Sequence, residues 1–530
     1  MKRVVFAIFL FLASVLPVSG NAQQSNKSAV EQLQKLNRFY RYLSGMYVDS
    51  LDMKPIVETA IKSMLSELDP HSAYLDKKEM DAARESTEGE FSGIGVEYNI
   101  HNDSIMVVNT IAQGPADRVG LWPNDRIVEI DGANVVGIKR EDVPPLLRGP
   151  RGSIVAVGVV RKGVKEKLSF IIERDNIPIT TVDAAYIASK GVGYIKVNRF
   201  GRTTMDEFRA AMAKLSGIEA LILDLGGNGG GLLNQAIDLA GYFLPQDNVV
   251  VSVEGRALET ERLRAKKGGE FGGRMVVIID EGSASGSELV AGALQDWDRA
   301  VIVGRDSYGK GLVQREIPMG DGSAIRLTVA RYHTPSGRVI QRPYEKGHKD
   351  DYDKAYIERL RGNENGELSD DRPVYQTLRS RRTVYGGGGI QPDVYVHSDT
   401  TRVSDYMVKI VAQGVYNEFI LDYMDRNRKK LEAKYPTFAK FNESFEFTDE
   451  DMKRLVNMAT NKGVDYDEAG YNQSQMYMCS QLAALVAQRL YGVSESYQLL
   501  NPRLNNSYIK ALEIIENWTQ EGESILNPKE

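Results

Sequence analysis

The sequence predicts an α/β core that carries a β-rich insert and is followed by an α-helical region. Between residues 192 and 303, short apolar runs alternate with helical patterns and glycine-rich turns, as they do in an α/β sheet. Residues 89–175 are rich in β-branched residues and turns, whereas apolar residues recur at helical spacing from residue 403 onward. These differences divide the 530-residue chain into the segments 1–22, 23–88, 89–175, 176–400 and 401–530.

Residues 1–22 have the pattern of a secretory signal peptide. Lys2 and Arg3 precede an apolar run over residues 4–18, and small residues stand just before Gln23. The run is short for a membrane-spanning helix. Cys479 is the only cysteine, so the chain cannot form an intramolecular disulfide. Because export without disulfides is typical of the bacterial periplasm or cell surface, we expect the protein there.

The composition excludes several other classes of protein. Apolar residues make up 42% and charged residues 26% of the chain, as in an ordinary globular protein. A net charge of −6 offers no basic surface, so we expect no nucleic-acid partner. The five histidines are scattered, and the sequence has no His-Glu-x-x-His or paired Cys/His pattern. It therefore predicts no metal site and no cofactor.

Helical spacing predicts two helices before the insert, over residues 29–43 and 56–68. The insert contains glycine turns at residues 91–95, 114–120 and 124–132, and an apolar strand follows at residues 155–160. Charged residues dominate a later stretch, 344–378, which is poor in large aliphatic side chains and is expected to be a surface insertion.

The core segment repeats a strand-and-helix order. Strands are expected at residues 192–197, 220–225, 275–279 and 300–303, and helices at 204–215 and 232–243. A glycine-rich loop, residues 226–231, precedes the second helix. Such loops often bind phosphate, but this one has no P-loop Lys and Ser/Thr, which disfavours a nucleotide enzyme.

A serine-rich turn and a lysine between two glycines indicate a serine hydrolase. Ser283, Ser285 and Ser287 lie between a strand and a helical pattern, where the helix N-terminus would stabilise developing negative charge. Lys310 has a glycine on each side, so no neighbouring side chain hinders its approach to a serine. Lysine can replace histidine as the base in such enzymes. These features alone do not choose among the three serines.

The string GSASGSELVAGALQD, followed by RAVIVG and SYGKGLVQ, closely resembles the catalytic region of the carboxyl-terminal processing (tail-specific) serine peptidases. The resemblance extends over about residues 68–396 and implies a crotonase-like α/β peptidase core. It identifies Ser285 as the nucleophile and Lys310 as the general base. It also implies that Gln314 orients this lysine, and if Lys310 began a strand the two side chains would lie on one face. His71 is the alternative base, but its string Leu-Asp-Pro-His-Ser resembles a structural element of the family.

The same resemblance implies an oxyanion hole. Its backbone N–H groups would come from Gly286 and from either Gly230 or Gly231. The sequence departs from the family here, because Gly226 and Gly229 occupy positions that usually carry arginine and proline. A more mobile loop is therefore expected.

The ordered turns of residues 89–175 resemble a PDZ domain of the kind that is inserted in these peptidases. The resemblance implies that a loop presents backbone N–H groups to the C-terminal carboxylate of a captured peptide, which adds a strand to the sheet edge. The residues of this expected carboxylate loop are Phe91, Ser92, Gly93, Ile94 and Gly95.

Taken together, these features imply an exported serine endopeptidase that binds exposed, apolar C-terminal tails of proteins and cleaves them through an acyl-enzyme. An alternative from another class is a catalytically inactive PDZ scaffold on a degraded peptidase fold. A further alternative is an acyl-CoA enzyme, since related α/β folds carry out that chemistry. Residues 401–530 lie outside the resemblance, and three roles stay open for them: contact with a second copy, binding of an adaptor, or a cover for the catalytic core.

Overall fold

The computed structural model describes residues 20–101, 103–111, 113–362 and 372–528 of the chain. It divides into two compact units, residues 1–67 and 68–530. The first unit contains the helices α1 (Gly20–Met46) and α2 (Met53–Ser66), and α1 begins earlier than the sequence pattern indicates. The predicted signal peptide lies almost entirely outside the described residues and stays a prediction. None of the described helices combines the length and the apolar character that a membrane crossing requires.

The second unit begins with a strand, a helix and a strand: β1 (Ala73–Leu75), α3 (Lys77–Glu88) and β2 (Glu90–Gly93). Asp76 and Glu79 form a capping box at the start of α3, because each side chain accepts the other residue's backbone N–H. Gly89 ends the helix in the left-handed conformation, with φ 75°.

The insert forms an antiparallel sheet around its own apolar core. Its elements are β3 (Val96–His101), β4 (Ser104–Thr110), α4 (Pro115–Arg118), β5 (Arg126–Ile130), β6 (Ala133–Asn134), α5 (Val143–Leu147), β7 (Ile154–Val160), β8 (Leu168–Glu173) and β9 (Asp175–Pro178). The strand order is β3-β4-β5-β7-β8, so β3 is an edge strand. Strands β2 and β9 pair, so the chain enters and leaves the insert side by side.

The core contains a six-stranded sheet with helices on both faces. Its elements, in chain order, are β10 (Val182–Ser189), β11 (Val192–Val197), α6 (Thr204–Lys214), β12 (Ala220–Asp224), α7 (Leu233–Phe243), β13 (Val249–Gly255), β14 (Leu258–Arg264), β15 (Arg274–Ile279), α8 (Gly286–Asp296), β16 (Val301–Gly304), β17 (Leu312–Pro318), β18 (Ala324–His333), α9 (Lys349–Gly362), β19 (Val374–Gln376), β20 (Thr383–Tyr385) and β21 (Val394–Tyr395). The sheet order is β10-β11-β12-β15-β16-β21, and it is parallel from β11 to β21. Every residue of β12 and β16 is buried, which explains their unbroken apolar sequence.

A second, antiparallel sheet lies beside the first, in the order β1-β18-β13-β14, and β17 also pairs with β18. Lys310 does not begin a strand, because β17 starts at Leu312. Its pairing with β18 also shifts register between Val313 and Gln314. Simple alternation along one strand therefore does not relate Lys310 to Gln314.

The last part of the unit consists of helices: α10 (Asp405–Ala412), α11 (Val415–Lys434), α12 (Phe438–Ser444), α13 (Asp449–Asn461), α14 (Glu468–Leu490), α15 (Val493–Leu504), α16 (Asn506–Glu516) and α17 (Gly522–Leu526). Helices α10 to α15 share an apolar core of their own. The α/β core, the β-rich insert and the helical C-terminal region confirm the predicted fold class.

The helical region contacts both the core and the insert. Ile515 on α16 and Leu526 on α17 pack on the face of the central sheet opposite α6, α7 and α8. On the insert side, Leu421 of α11 forms a buried cluster with Met106 and Val108 of β4. Helices α16 and α17 therefore cover one face of the central sheet, in keeping with one of the three roles left open by the sequence. Binding of a second copy or of an adaptor stays a prediction.

We expect the packing of α16 to be measurable as stability. Ile515 is buried against the sheet, so Ile515→Ala should lower the free energy of unfolding by about 2–5 kcal/mol. The matched control is Ile509→Ala on the same helix, where the side chain is exposed and the change should stay within about 0.5 kcal/mol. Urea unfolding measures both values, and equal small losses would contradict the packing of α16 on the sheet.

Candidate active site

The turn between β15 and α8 separates the roles of the three serines. Ser283 and Ser287 are fully buried, and their hydroxyls donate to the backbone oxygens of Leu225 and Asn228, each at 2.8 Å. Ser285 is partly exposed at the N-cap of α8, with φ 52° and ψ −107°. A positive φ is strained for a residue with a side chain and is often found at active sites. The geometry therefore singles out Ser285.

Glu288 lies one helical turn after Ser285 and is completely buried. Its Oε2 accepts the backbone N–H of Ser285 at 2.7 Å and that of Lys310 at 2.9 Å. Its Oε1 accepts the Gly309 N–H and the Ser307 hydroxyl, both at 2.6 Å. Burial raises the pKa of the Glu288 carboxyl, and these donors oppose that rise. One side chain thus fixes the backbone on both sides of the candidate dyad.

Sequence reasoning missed Glu288, although the sequence carried a signal for it. Ser285 and Glu288 form the Ser-x-x-Glu pattern of a helix capping box. The pattern predicts the bond from Glu288 to the Ser285 N–H. It does not predict that the same carboxylate also reaches Lys310, because that contact spans two separate loops.

Lys310 lies in a loop whose backbone is held on several sides. The Tyr308 N–H donates to the Ser283 carbonyl, and the Gly311 N–H donates to Gln341 Oε1, both at 2.9 Å. Burial lowers the pKa of the Lys310 ammonium below its ordinary value of 10.5, and Arg326 adds to this effect. Glu288 and Asp69 act in the opposite direction. At a given pH, more of the neutral amine that a general base requires is therefore present than in an ordinary lysine.

Ser285 and Lys310 line one cavity of about 910 Å³, together with Gln314 and Gly231. Its apolar lining is Leu232, Leu233, Val253, Leu263, Leu312, Val313 and Tyr332. Charged residues also border it: Glu259, Glu261, Arg315, Glu316 and Arg326. Much of the wall comes from the hairpins β13–β14 and β17–β18. The described residues contain no group of three His, Cys, Asp or Glu side chains that could hold a metal ion.

Gln314 lines the cavity, and its side chain bonds a residue that the sequence did not indicate as its partner. Its Nε2 donates to the backbone oxygen of His71 at 2.5 Å. The side chain thereby ties β17 to the turn before β1. The orienting role toward Lys310 that the sequence assigned to Gln314 stays a prediction.

His71 belongs to a turn organised by Asp69. Asp69 Oδ1 accepts the backbone N–H of His71 at 2.9 Å and the hydroxyl of Thr328 at 3.0 Å. Burial lowers the pKa of His71 to about 4, with a further contribution from Lys310. The imidazole is therefore neutral near pH 7, and its Nε2 lies 3.4 Å from the Tyr352 hydroxyl. These contacts agree with the structural role that the resemblance assigned to this string.

The glycine-rich loop before α7 lies directly against Ser285. A Cβ at Gly230 would stand 2.8 Å from the Ser285 Cβ, so only glycine fits there. The Gly230 N–H donates to Asn228 Oδ1 at 2.8 Å, so this N–H already has an acceptor. Of the two alternatives for the oxyanion hole, Gly231 is favoured, since it lines the cavity. Gly286 is the first residue of α8, where a backbone N–H has no partner within the helix.

The loop is held without the arginine that the family usually carries. The Gly226 N–H donates to Asp224 Oδ1 and the Gly227 N–H to Asp280 Oδ1, both at 2.7 Å. Lys196 Nζ donates to Asp224 Oδ1 at 2.9 Å and also to the Gly226 carbonyl. The buried Lys196 thus hydrogen-bonds the backbone of Gly226, the position at which the family usually carries arginine.

The expected carboxylate loop is divided between two elements. Phe91, Ser92 and Gly93 lie in β2 and pair with β9, whereas Ile94 and Gly95 form the turn into β3. Gly95 has φ 75°, a conformation that favours glycine. Because β3 is an edge strand, a peptide could add to the sheet next to this turn.

Comparison with known families agrees with this arrangement. Residues 191–353 match peptidase family S41, and residues 92–172 match the PDZ domain. Residues 13–79 match the N-terminal domain of the activating protease CtpB, and residues 406–492 match a family of unknown function. The chain is a serine peptidase that carries a PDZ domain.

Individual relatives define the family. The chain is 36% identical to the carboxy-terminal-processing protease of Bartonella bacilliformis over 64% of its own length and 80% of that protein. It is 35% identical to the carboxy-terminal processing protease CtpB of Bacillus subtilis over 62% of its own length and 69% of that protein. Among solved structures, the photosystem II D1 C-terminal processing protease matches with 25% identity and a TM-score of 0.37, covering 69% of this chain and 87% of that one. This chain belongs to the carboxy-terminal processing proteases.

The carboxylate of Glu288 should be indispensable to this site. In Glu288→Gln, an amide NH2 would face backbone N–H groups that need an acceptor, at a cost of about 1–3 kcal/mol for each unsatisfied buried group. We expect a measurable loss of stability in urea unfolding and at least a tenfold loss of peptidase activity, taking about 1.4 kcal/mol per factor of ten. Glu219→Gln, at an exposed position, is the control. Wild-type activity and stability in Glu288→Gln would contradict this role.

Proposed function

We propose that the protein is an exported endopeptidase that captures exposed, apolar C-terminal tails through its PDZ domain and cleaves them with a Ser285–Lys310 dyad. One observation carries the proposal: the backbone amides of Ser285 and Lys310 bind the same Glu288 oxygen, on the border of a cavity that both residues line. The signal-like residues 1–22 support a periplasmic or cell-surface location.

The catalytic steps follow from the chemistry of these groups. The neutral amine of Lys310 takes the proton of the Ser285 hydroxyl while Oγ attacks the carbonyl carbon of the scissile peptide bond. The N–H groups of Gly286 and Gly231 would bind the resulting oxyanion, and the positive end of the α8 dipole adds to that stabilisation. The Lys310 ammonium then gives its proton to the amine nitrogen of the scissile bond, and the carbon–nitrogen bond breaks. The acyl group stays bonded to Ser285 Oγ.

Deacylation repeats the same steps with water. Lys310 takes a proton from a water molecule, whose oxygen attacks the acyl carbon. When the tetrahedral intermediate collapses, Ser285 Oγ leaves and regains the proton from Lys310. The free enzyme and a new C-terminal carboxylate result. All proton transfers thus pass through Lys310.

The apolar part of the cavity supports a preference for apolar side chains near the scissile bond. The free edge of β3 and the turn at Ile94 and Gly95 support tail capture by strand addition. The alternative function, an inactive PDZ scaffold, shares the tail-binding step but no cleavage.

Digestion of a tailed substrate tests the proposal. Without residues 1–22, the protein should cleave an unfolded protein that ends in an apolar residue, and cleave it more slowly when that C-terminus is amidated. Ser285→Ala and Lys310→Ala should each lower the cleavage rate by about 10³-fold or more, because each removes a group that takes part in bond making. Mass spectrometry of the fragments gives the rates, and thermal unfolding verifies that the variants fold.

The control for Lys310→Ala is Lys266→Ala, at an exposed lysine. Wild-type rates in Ser285→Ala or Lys310→Ala would exclude the dyad. Tail binding without any cleavage by the wild type would favour the scaffold.

The pH profile distinguishes the two candidate bases. A small activated ester, p-nitrophenyl acetate, can report the dyad without tail capture. Its hydrolysis should rise with pH through an ionisation below 10.5, because the pKa of Lys310 is lowered and only its neutral form accepts a proton. If His71 were the base, its pKa of about 4 would already give the maximal rate at about pH 6. Such an early plateau, abolished by His71→Ala, would overturn the lysine mechanism.

A further inference from the structure

Arg342 is a buried arginine with an unusual environment. Its side chain is 7% exposed, and neither Nε nor Nη2 has a hydrogen-bond acceptor within the described ranges. Its guanidinium carbon instead lies 4.7 Å, 4.0 Å and 4.8 Å from the ring centroids of Tyr308, Tyr352 and Tyr356. A buried cation is costly, and the faces of aromatic rings are among the few neutral partners that stabilise it. We call these four side chains the tyrosine cage.

The tyrosine cage joins two separate parts of the chain. Tyr308 stands two residues before Lys310, whereas Tyr352 and Tyr356 lie on α9. Helix α9 belongs to the stretch that the sequence indicated to be a surface insertion. One face of this helix is buried, however, since Tyr352 is 5% exposed. The insertion packs against the loop of the general base.

Arg342 also contacts the loop directly. Its backbone N–H donates to the Gly309 carbonyl at 2.9 Å. A Cβ at Gly309 would collide with Arg342 Cγ, so the arginine stem lies tightly on this glycine. Gly309 has φ 89°, and Gly311 follows Lys310. A loop with a glycine on each side of Lys310 has little conformational restraint of its own, so such contacts must supply it.

Helix α9 reaches the nucleophile side as well. The Tyr356 hydroxyl donates to the Glu281 carbonyl at 2.8 Å, in the turn that leads to Ser285. The Tyr352 hydroxyl accepts from Gln341 Nε2 at 3.2 Å, and Gln341 Oε1 in turn accepts the Gly311 N–H. One helix thus has contacts on both sides of the dyad.

We propose that Arg342 is a positioning residue for the general base, held by Tyr352 and Tyr356 of α9 so that it fixes the loop around Lys310. This inference rests on the proposed function of Lys310. Without the tyrosine cage, the loop around Lys310 becomes more mobile, and the Lys310 amine becomes more exposed to water. Its pKa then returns toward the ordinary lysine value, because burial is the largest cause that lowers it. The charged and titratable groups around Lys310 that stay in place are Glu288, Asp69, Arg326 and His71.

The test uses hydrolysis of p-nitrophenyl acetate by the protein without residues 1–22, measured as kcat and KM between pH 6 and 11. Arg342→Ala should lower kcat at pH 7 by about 10-fold or more and change KM by less than about 3-fold, with the ionisation of kcat moved to higher pH. Activity should therefore recover at alkaline pH. Arg342→Lys keeps a cation over the rings and should regain part of the loss.

Variants of the partners separate positioning from a general loss of stability. Tyr356→Leu removes one aromatic face and should shift the ionisation in the same direction, whereas Tyr356→Phe keeps that face and should shift it less. Lys354→Ala, exposed on the same helix, should leave the profile unchanged. If Arg342→Ala does not fold, as judged by thermal unfolding, Arg342→Lys and Tyr356→Leu provide the comparison.

The outcomes distinguish this inference from the proposed function. If Lys310→Ala is inactive but the folded Arg342 and Tyr356 variants keep the wild-type ionisation, the positioning role is wrong and the dyad stands. A fall in the amount of folded protein with an unchanged pH profile indicates a purely structural role and overturns the proposal. If Lys310→Ala is active, the proposed function itself fails.

Discussion

A single buried carboxylate sets the geometry of this active site. Glu288 receives backbone N–H groups from Ser285, Gly309 and Lys310, and the hydroxyl of Ser307. Without it, these donors would lose the acceptor that they bond in the folded protein, which is costly for buried groups. Ser285, the proposed nucleophile, lies in the turn after β15, and Lys310, the proposed base, lies in the loop after β16, so no local rule connects them. Glu288 holds both backbones at once and converts two loops into one rigid unit.

The same carboxylate poses an electrostatic problem that the structure resolves. A negative charge near Lys310 stabilises the ammonium, which cannot act as a base. Backbone amides and a hydroxyl surround the Glu288 oxygens, however, and partly neutralise their charge. Burial and Arg326 then outweigh the attraction, so the pKa of Lys310 is lowered. The buried carboxylate can therefore hold the two loops while the pKa of Lys310, the proposed base, stays below its ordinary value.

The fold class could be predicted from the sequence because it depends on local patterns, whereas Ser285 and Lys310 were assigned from a specific string. Local pattern alone left Ser283, Ser285 and Ser287 equivalent, and only the long-range bonds of Ser283 and Ser287 separate them. The contact of α9 with Tyr308 could not be predicted, since its charged sequence is typical of a solvated helix and its aromatic face meets a distant loop. The register shift at Gln314 could not be predicted from a strand pattern either, because a bulge depends on the partner strand.

The layer behind the central sheet has a consequence for how the enzyme matures. The strands of the peptidase core are complete by residue 395, yet the side chains that cover their second face come from residues 506–526. During synthesis from the N-terminus, this apolar face must stay bare while more than 100 further residues are made. A sheet with one uncovered face lacks much of its stabilising burial. The central sheet therefore reaches its full burial only when the chain is nearly finished.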